Sequence, residues 1–216
     1  MLEKMDVFFE NRLKEYDRHQ LSCIECAQEF YSFTAKCLPE KSGIHLLDLG
    51  CGTGLELEEY FQYNPRAKVT GIDLSAGMLK ALEKKFPQKE LTLVLGSYFD
   101  VPFKREEFDA AVSVESLHHF TKEQKIPLYK KLYKALKENG YFILTDYFAL
   151  SDEEEQHHRK ELLSLKQIQN ITDNEFYHYD TPLTVPHEIE ALQAAGFSSV
   201  KVLKNWGPTF TIKAYR

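Results

Sequence analysis

The chain carries only four cysteines, Cys23, Cys26, Cys37 and Cys51, in 216 residues. So few, so unevenly spaced, exclude a disulfide framework. Cys23 and Cys26 make a C-x-x-C, but no second pair stands at the spacing a structural zinc site needs. Both fall in a helical pattern and read as helix packing. No apolar run approaches the ~20 residues of a membrane span. Residues 1–10 lack the apolar core of a signal peptide, so a cytoplasmic protein is expected. Positive charge is short as well: 27 Lys and Arg against 33 Asp and Glu leave a net charge of −6. Such a chain has no bulk attraction for phosphate backbones, and nucleic acid is not an expected partner. The densest basic stretch, residues 122–137, reads as the solvated face of a helix whose other face carries Ile126, Tyr129, Leu132, Tyr133 and Leu136. Internal repeats and low-complexity tracts are absent.

What is present suits one decorated domain. A chain of this length buries roughly 70% of its unfolded surface and needs no metal or disulfide to hold it. Residues 1–38 read as two helices. Val7, Phe8, Leu13 and Tyr16 follow a rough stripe in the first, and a Ser22/Glu25 capping box opens the second. Residues 39–43 form a turn-rich break.

Beyond it, short apolar runs at residues 44–49, 68–73, 91–95, 108–114 and 141–145 read as buried strands. Helical stretches separate them: residues 55–63, a helix from the N-cap Ser75 to Phe86, and one from a Thr121/Gln124 capping box to Gly140. This alternation predicts an α/β, Rossmann-like doubly wound parallel sheet with right-handed crossovers. Residues 151–184 are a polar insertion opened by a Ser151/Glu154 capping box. A helix around residues 187–195 ends at Gly196. Only Lys204 to Pro208 separate the last two apolar runs. That gap is too short for a parallel crossover, so they form an antiparallel hairpin. The expected organisation is a single domain over residues 1–216, with a helical cap (1–38), a binding core (44–148), a lid-like insertion (151–184) and a C-terminal helix and hairpin (187–216).

The chemistry-bearing motif is Leu47-Asp48-Leu49-Gly50-Cys51-Gly52-Thr53-Gly54, at the end of the first strand. Glycines there let backbone approach a ligand and turn into a helix. Asp73 ends the second strand, where a carboxylate can accept hydrogen bonds from both ribose hydroxyls of a nucleoside. Dinucleotide folds prefer G-x-G-x-x-G. Here the third glycine comes one residue early. Asp48, just before the loop, is placed to orient the turn and hold an ammonium group.

These residues resemble the class I S-adenosylmethionine-dependent methyltransferases, in their small-molecule, quinone-biosynthesis-like branch. The resemblance rests on residues 47–54, 71–75, 108–120 and 136–146. It implies S-adenosylmethionine as cofactor, a seven-stranded sheet with a reversed last strand, and a small-molecule methyl acceptor. It places Gly50, Gly52 and Gly54 at the methionine end of the cofactor and Asp73 on the ribose, with Cys51 and Thr53 of the same loop as further candidate cofactor contacts. Leu74 and Met78 flank the cofactor, and Tyr16 of the Tyr16-Asp17 pair lies near it. Relatives carry an acidic residue at the adenine amino group, where this chain has Ser97. Ser97 or Tyr98 therefore takes that contact. The Asn/Asp-Pro-Pro-aromatic motif of methyltransferases acting on exocyclic amines is absent.

The fourth strand runs into Glu115-Ser116-Leu117-His118-His119-Phe120, on the edge that faces the ligand crevice. Glu115, His118 and Tyr147 are the candidate catalytic groups, and Glu115 is also a candidate cofactor contact. No metal is expected, because two neighbouring histidines need a third fixed ligand. The acceptor is expected between the N-terminal helices and the insertion, near Arg12, Tyr16 and His19 on one side and Phe176, Tyr177, His178 and Tyr179 on the other. Two other functions compete: an NAD-dependent oxidoreductase, disfavoured by the glycine spacing and the hairpin, and a non-catalytic S-adenosylmethionine-binding module.

Overall fold

A computed structural model describes residues 1–173 and 175–216. Residue 174, within the expected insertion, lies outside the described residues. Two helices open the chain, α1 (Met5–Cys23) and α2 (Ala27–Cys37). Alternating elements follow: β1 (His45–Leu49), α3 (Leu55–Tyr63), β2 (Lys68–Asp73), α4 (Ala76–Lys85), β3 (Glu90–Leu95), β4 (Phe108–Val114), α5 (Lys122–Ala135) and β5 (Leu136–Tyr147). The chain ends in α6 (Asp152–Ile168), α7 (Val185–Ala194), β6 (Ser199–Trp206) and β7 (Thr209–Tyr215).

The seven strands form one sheet in the order β3-β2-β1-β4-β5-β7-β6. β1 to β5 pair in parallel, and β7 enters antiparallel between β5 and β6. Strand order reverses between β1 and β4, which opens a crevice at their C-terminal ends. Side chains alternate between two cores as the period of two demands. Leu47, Ala111, Phe142 and Leu144 face Leu128, Tyr129 and Leu132 of α5 and Leu192 of α7. Leu46, Ala110, Val112 and Ile143 face Phe30 of α2, Leu57 and Tyr60 of α3 and Leu82 of α4.

Several local expectations are corrected. Ser22 lies inside α1 and caps nothing; Cys26, in the left-handed region at φ 58°, precedes α2 without a side-chain cap. Cys23 and Cys26 thus flank a helix break and are free thiols. Val7 is exposed, and Met5 is the buried residue of α1. Gly140 does not stop α5, which ends at Ala135; Gly140 lies within β5, inside the irregularity in its pairing with β4 between Leu136 and Tyr141. Ser151 caps α6 by accepting from the Glu154 amide, but the Glu154 carboxylate accepts from Leu150, one residue before a capping box would place it. α5 is not solvated along its whole basic face either. Lys125 is 2% exposed and pairs at 2.6 Å with the fully buried Glu188 of α7.

Other starts form as the sequence dictates. Ser75 accepts from the Met78 amide at 3.1 Å, and Thr121 with Gln124 makes a full capping box. Gly207-Pro208 turns β6 into β7. No helix among the described residues is long and apolar enough to cross a membrane.

Candidate functional site

The site is assembled at the C-terminal ends of β1, β2 and β4. The backbone turns after β1 through Gly50 at φ 73° and Gly52 at φ 47°, where a side chain would be strained. A Cβ on Gly50 would fall 2.1 Å from Ser116 Oγ, so only glycine lets the two loops meet. A Cβ on Gly52 would project beside the Tyr16 ring, 3.8 Å away, into the space the loop leaves open. Asp73 accepts from the amides of Gly52 at 2.9 Å and Ser75 at 2.8 Å, which ties the glycine loop to the end of β2. Burial pushes its carboxyl up from the ordinary range against these bonds.

One cavity is walled by Tyr16, Gly50, Gly52, Asp73, Leu74, Met78, Tyr98 and Glu115, with Met5 and Phe9 of α1 above them. Eight of the sequence-predicted cofactor residues therefore surround a single space. The others do not reach it. Cys51 is buried against Gly71. Thr53 donates from its hydroxyl to Asp17 at 2.5 Å, and Asp17 also pairs with Lys85. Gly54 precedes α3. Ser97 accepts from the Phe99 amide and serves its own turn, leaving Tyr98 as the member of that pair in the wall. Asp48, expected to hold an ammonium group, is 1% exposed and turned toward Glu56 of α3. Burial first, then Glu56, pushes the Asp48 carboxyl well above the usual range.

A second cleft of about 730 Å³ adjoins the first. Phe9, Tyr16, Glu115 and His119 line both. Its other walls include Arg12, His19, His118, Tyr147, His178 and Asp180. Glu115 follows β4 at φ 49°, a strained conformation for a residue with a side chain, held by its amide donating to Thr145 O at 2.9 Å. Its Oε1 is buried with no hydrogen-bond partner. Burial pushes its carboxyl up to about 8.

His118 and His119 sit in a short 3₁₀ turn, Leu117–His119. His118 Nδ1 lies 2.5 Å from Asp146 Oδ1 at the end of β5, and Asp146 Oδ2 accepts from the Leu117 amide at 2.8 Å. Burial opposes charge on His118, but Asp146 and Asp180 outweigh it and push the ring up to about 9. His119 is pushed down, by burial and by the neighbouring His118. Tyr147 lies at the rim and donates to Glu154 at 3.2 Å.

The two additions to the core clasp each other over this cleft. Met5 donates its amide to Phe176 O, and His178 donates its own to Glu3 O, both at 2.9 Å. The His178 ring stacks on Phe8. The other aromatics of the insertion, also expected beside the acceptor, make contacts away from this cleft. Phe176 packs against Phe99 and Phe120, Tyr177 donates to Asp173, and Tyr179 donates to Glu161.

Three groups escaped the sequence reading. Asp146 stands at the C-terminal edge of a central strand, a position that marks ligand crevices. Asp180 and Glu10 gave no signal, since both reach their places through tertiary contacts.

The cradle fits an adenosyl amino acid. Two loops approach closely enough to exclude side chains, the Asp73 carboxylate stands in the wall at the end of β2, and Glu115, also in the wall, keeps one buried oxygen without a partner. Fold and cradle together are similar to those of class I methyltransferases, whose cofactor is S-adenosylmethionine. Residues 47–144 match the family model described as a methyltransferase domain. The chain is 28% identical over 207 residues to the biotin biosynthesis bifunctional protein BioHC of Teredinibacter turnerae, covering 84% of this chain and 35% of that protein. It is 37% identical over 109 residues to the demethylmenaquinone methyltransferase of Symbiobacterium thermophilum, covering 48% of this chain and 42% of that one. The chain thus spans well under half the length of these two relatives. Its fold is shared with human N-acetylserotonin methyltransferase in complex with S-adenosylmethionine, at a TM-score of 0.67 and 18% identity, over 96% of this chain and 56% of that one.

Proposed function

We propose that the chain transfers the methyl group of S-adenosylmethionine to a small organic acceptor in the second cleft. The observation that carries this reading is the shared wall: Phe9, Tyr16, Glu115 and His119 line both cavities, so a cofactor in one and an acceptor in the other would meet there. The cofactor supplies a methyl on a sulfonium. This chain's residues align the acceptor with that methyl and exclude water. A hydroxyl or carbon acceptor also loses a proton as its bond to the methyl forms. Glu115 is the carboxyl that lines both cavities and so the group proposed to take it. His118, oriented by Asp146, positions the acceptor, and Tyr147 closes the rim.

Residues 1–216 act as one domain in this proposal, with the cap 1–38 and the insertion 151–184 selecting the acceptor. A cleft of about 730 Å³ matches small-molecule sites. The net charge of −6 disfavours a polyanionic acceptor such as nucleic acid. Free thiols suit a reducing, cytoplasmic setting.

The test is transfer of labelled methyl from S-adenosylmethionine across fractionated metabolite extracts. Label in a low-mass product supports the reading. Tight cofactor binding with no transfer to any fraction would instead indicate a non-catalytic module. NAD binding tighter than S-adenosylmethionine would overturn the cofactor assignment.

A further inference from the structure

We propose that His118, His119 and Asp180 form a site for one divalent transition-metal ion at the floor of the acceptor cleft. Asp180 Oδ1 lies 3.5 Å from His118 Nε2 and 3.1 Å from His119 Nδ1. Zinc-type bonds of about 2.1 Å place neighbouring ligands ~3.0 Å apart at a right angle and ~3.4 Å apart at the tetrahedral angle. The observed separations match that spacing. Two imidazoles and one carboxylate are also the donor set of open-sided iron and zinc centres.

The surroundings favour an ion over a plain hydrogen-bonded cluster. His118 has its Nδ1 engaged by Asp146, which itself accepts from Leu117. This is the carboxylate–histidine arrangement that fixes a metal ligand's tautomer and leaves Nε2 free. The two rings lie 4.0 Å apart between centroids, so cationic forms of both would repel. A single ion between them satisfies both rings and Asp180 together. Among the described residues no Lys or Arg pairs with Asp180. His178, whose ring is 4.8 Å from that of His119, borders the same space and can swing in as a further ligand.

The cleft side of the site stays open, because His118, His119 and Asp180 all line it. The ion would therefore bind an oxygen of the acceptor and hold it near Glu115. This names the acceptor class, a hydroxyl- or carboxylate-bearing molecule, and this part rests on the methyl-transfer reading above.

The experiment is a cobalt(II) titration of the metal-stripped 216-residue chain, followed by visible absorption and calorimetry. One equivalent is expected to bind with ligand-field bands. Asp180→Asn and His119→Gln should each weaken it at least tenfold, with circular dichroism unchanged. His157→Ala, at an exposed histidine of α6, should leave it unaltered and so excludes surface histidines. Absence of a stoichiometric site, or cobalt affinity unchanged by Asp180→Asn, overturns the proposal. Titration with S-adenosylhomocysteine is run in parallel on the same samples. Loss of cobalt binding alone sinks the metal site, whereas loss of S-adenosylhomocysteine binding in the parent sinks the cofactor reading.

Discussion

Glu10 of α1 and Ser75 before α4 are 65 residues apart in sequence and 2.7 Å apart in space, the serine hydroxyl donating to the carboxylate. The same Glu10 oxygen accepts from the Gly77 amide at 2.9 Å. The N-terminal helix therefore supplies an anionic cap to α4, the helix that follows β2. Its carboxylate sits below its ordinary pKa because Ser75 and Gly77 donate to it. Glu10→Ala should loosen α1 from the core. Hydrogen exchange along residues 5–23 should rise several-fold, with S-adenosylmethionine leaving faster. Unchanged exchange would show that α1 is held by packing alone.

Asp73→Ala should weaken S-adenosylmethionine binding by about 1–3 kcal/mol, the range for hydrogen bonds to a charged group. It also frees the Gly52 amide that the carboxylate holds. Gly52→Val should cost more, since the position has φ 47° and its side chain would enter the cradle. Calorimetry with S-adenosylhomocysteine reads both, and parent-like binding by the pair would place the cofactor elsewhere.

Acceptor selection should follow the cleft walls and not the outward tyrosines. Arg12→Ala and His178→Ala are expected to raise the acceptor's KM several-fold with S-adenosylhomocysteine binding intact. Tyr177→Ala and Tyr179→Ala should change KM little, because those hydroxyls are engaged by Asp173 and Glu161. The opposite ranking would move the acceptor to the outer face of the insertion.

Lys125 and Glu188 are a buried pair, joined by the Tyr129 hydroxyl, which also donates to Glu188. Lys125→Met strands a buried carboxylate and should cost about 3–5 kcal/mol in denaturant unfolding. Replacing all three by Met, Leu and Phe should recover most of that loss, because no polar group is then left unpaired. Failure of the triple variant to recover would mean that the pair fixes the α5–α7 contact geometrically.

His187 at the start of α7 has its pKa raised above 6.5, first by its hydrogen bond to Glu155 of α6. A raised folded value means the contact stabilises fully below 6.5 and is lost as pH rises through the raised value. The ring is 33% exposed, so the effect is small. The Tm advantage of the parent over His187→Gln should shrink on going from pH 6 to pH 9. A gap that widens with pH would contradict the assignment.

Local rules made much of this protein legible in its sequence. Alternating apolar runs set the strands, the Gly50–Gly54 loop and Asp73 marked the cradle, and the short Gly207-Pro208 turn required a reversed strand beside β5. Each is a property of backbone sterics or side-chain period within a few residues, so no distant contact was needed to see it. Distant contacts decided the rest. Cys26 begins α2 without the side-chain cap that Ser22 promised, because packing of Phe30 and Tyr31 sets where the helix starts. Asp48 turned from the cofactor side to Glu56, since the period of two points it at the α3 face. Asp180 met His118 and His119 only because the insertion folds back over the sheet edge, bringing together residues 62 and 61 positions apart in the chain. A neighbouring histidine pair reads from sequence as two rings pointing apart. Their convergence on one carboxylate was decided by the tertiary structure, where the buried Asp146 orients His118 and the clasp between residues 3–5 and 176–178 fixes the position of Asp180.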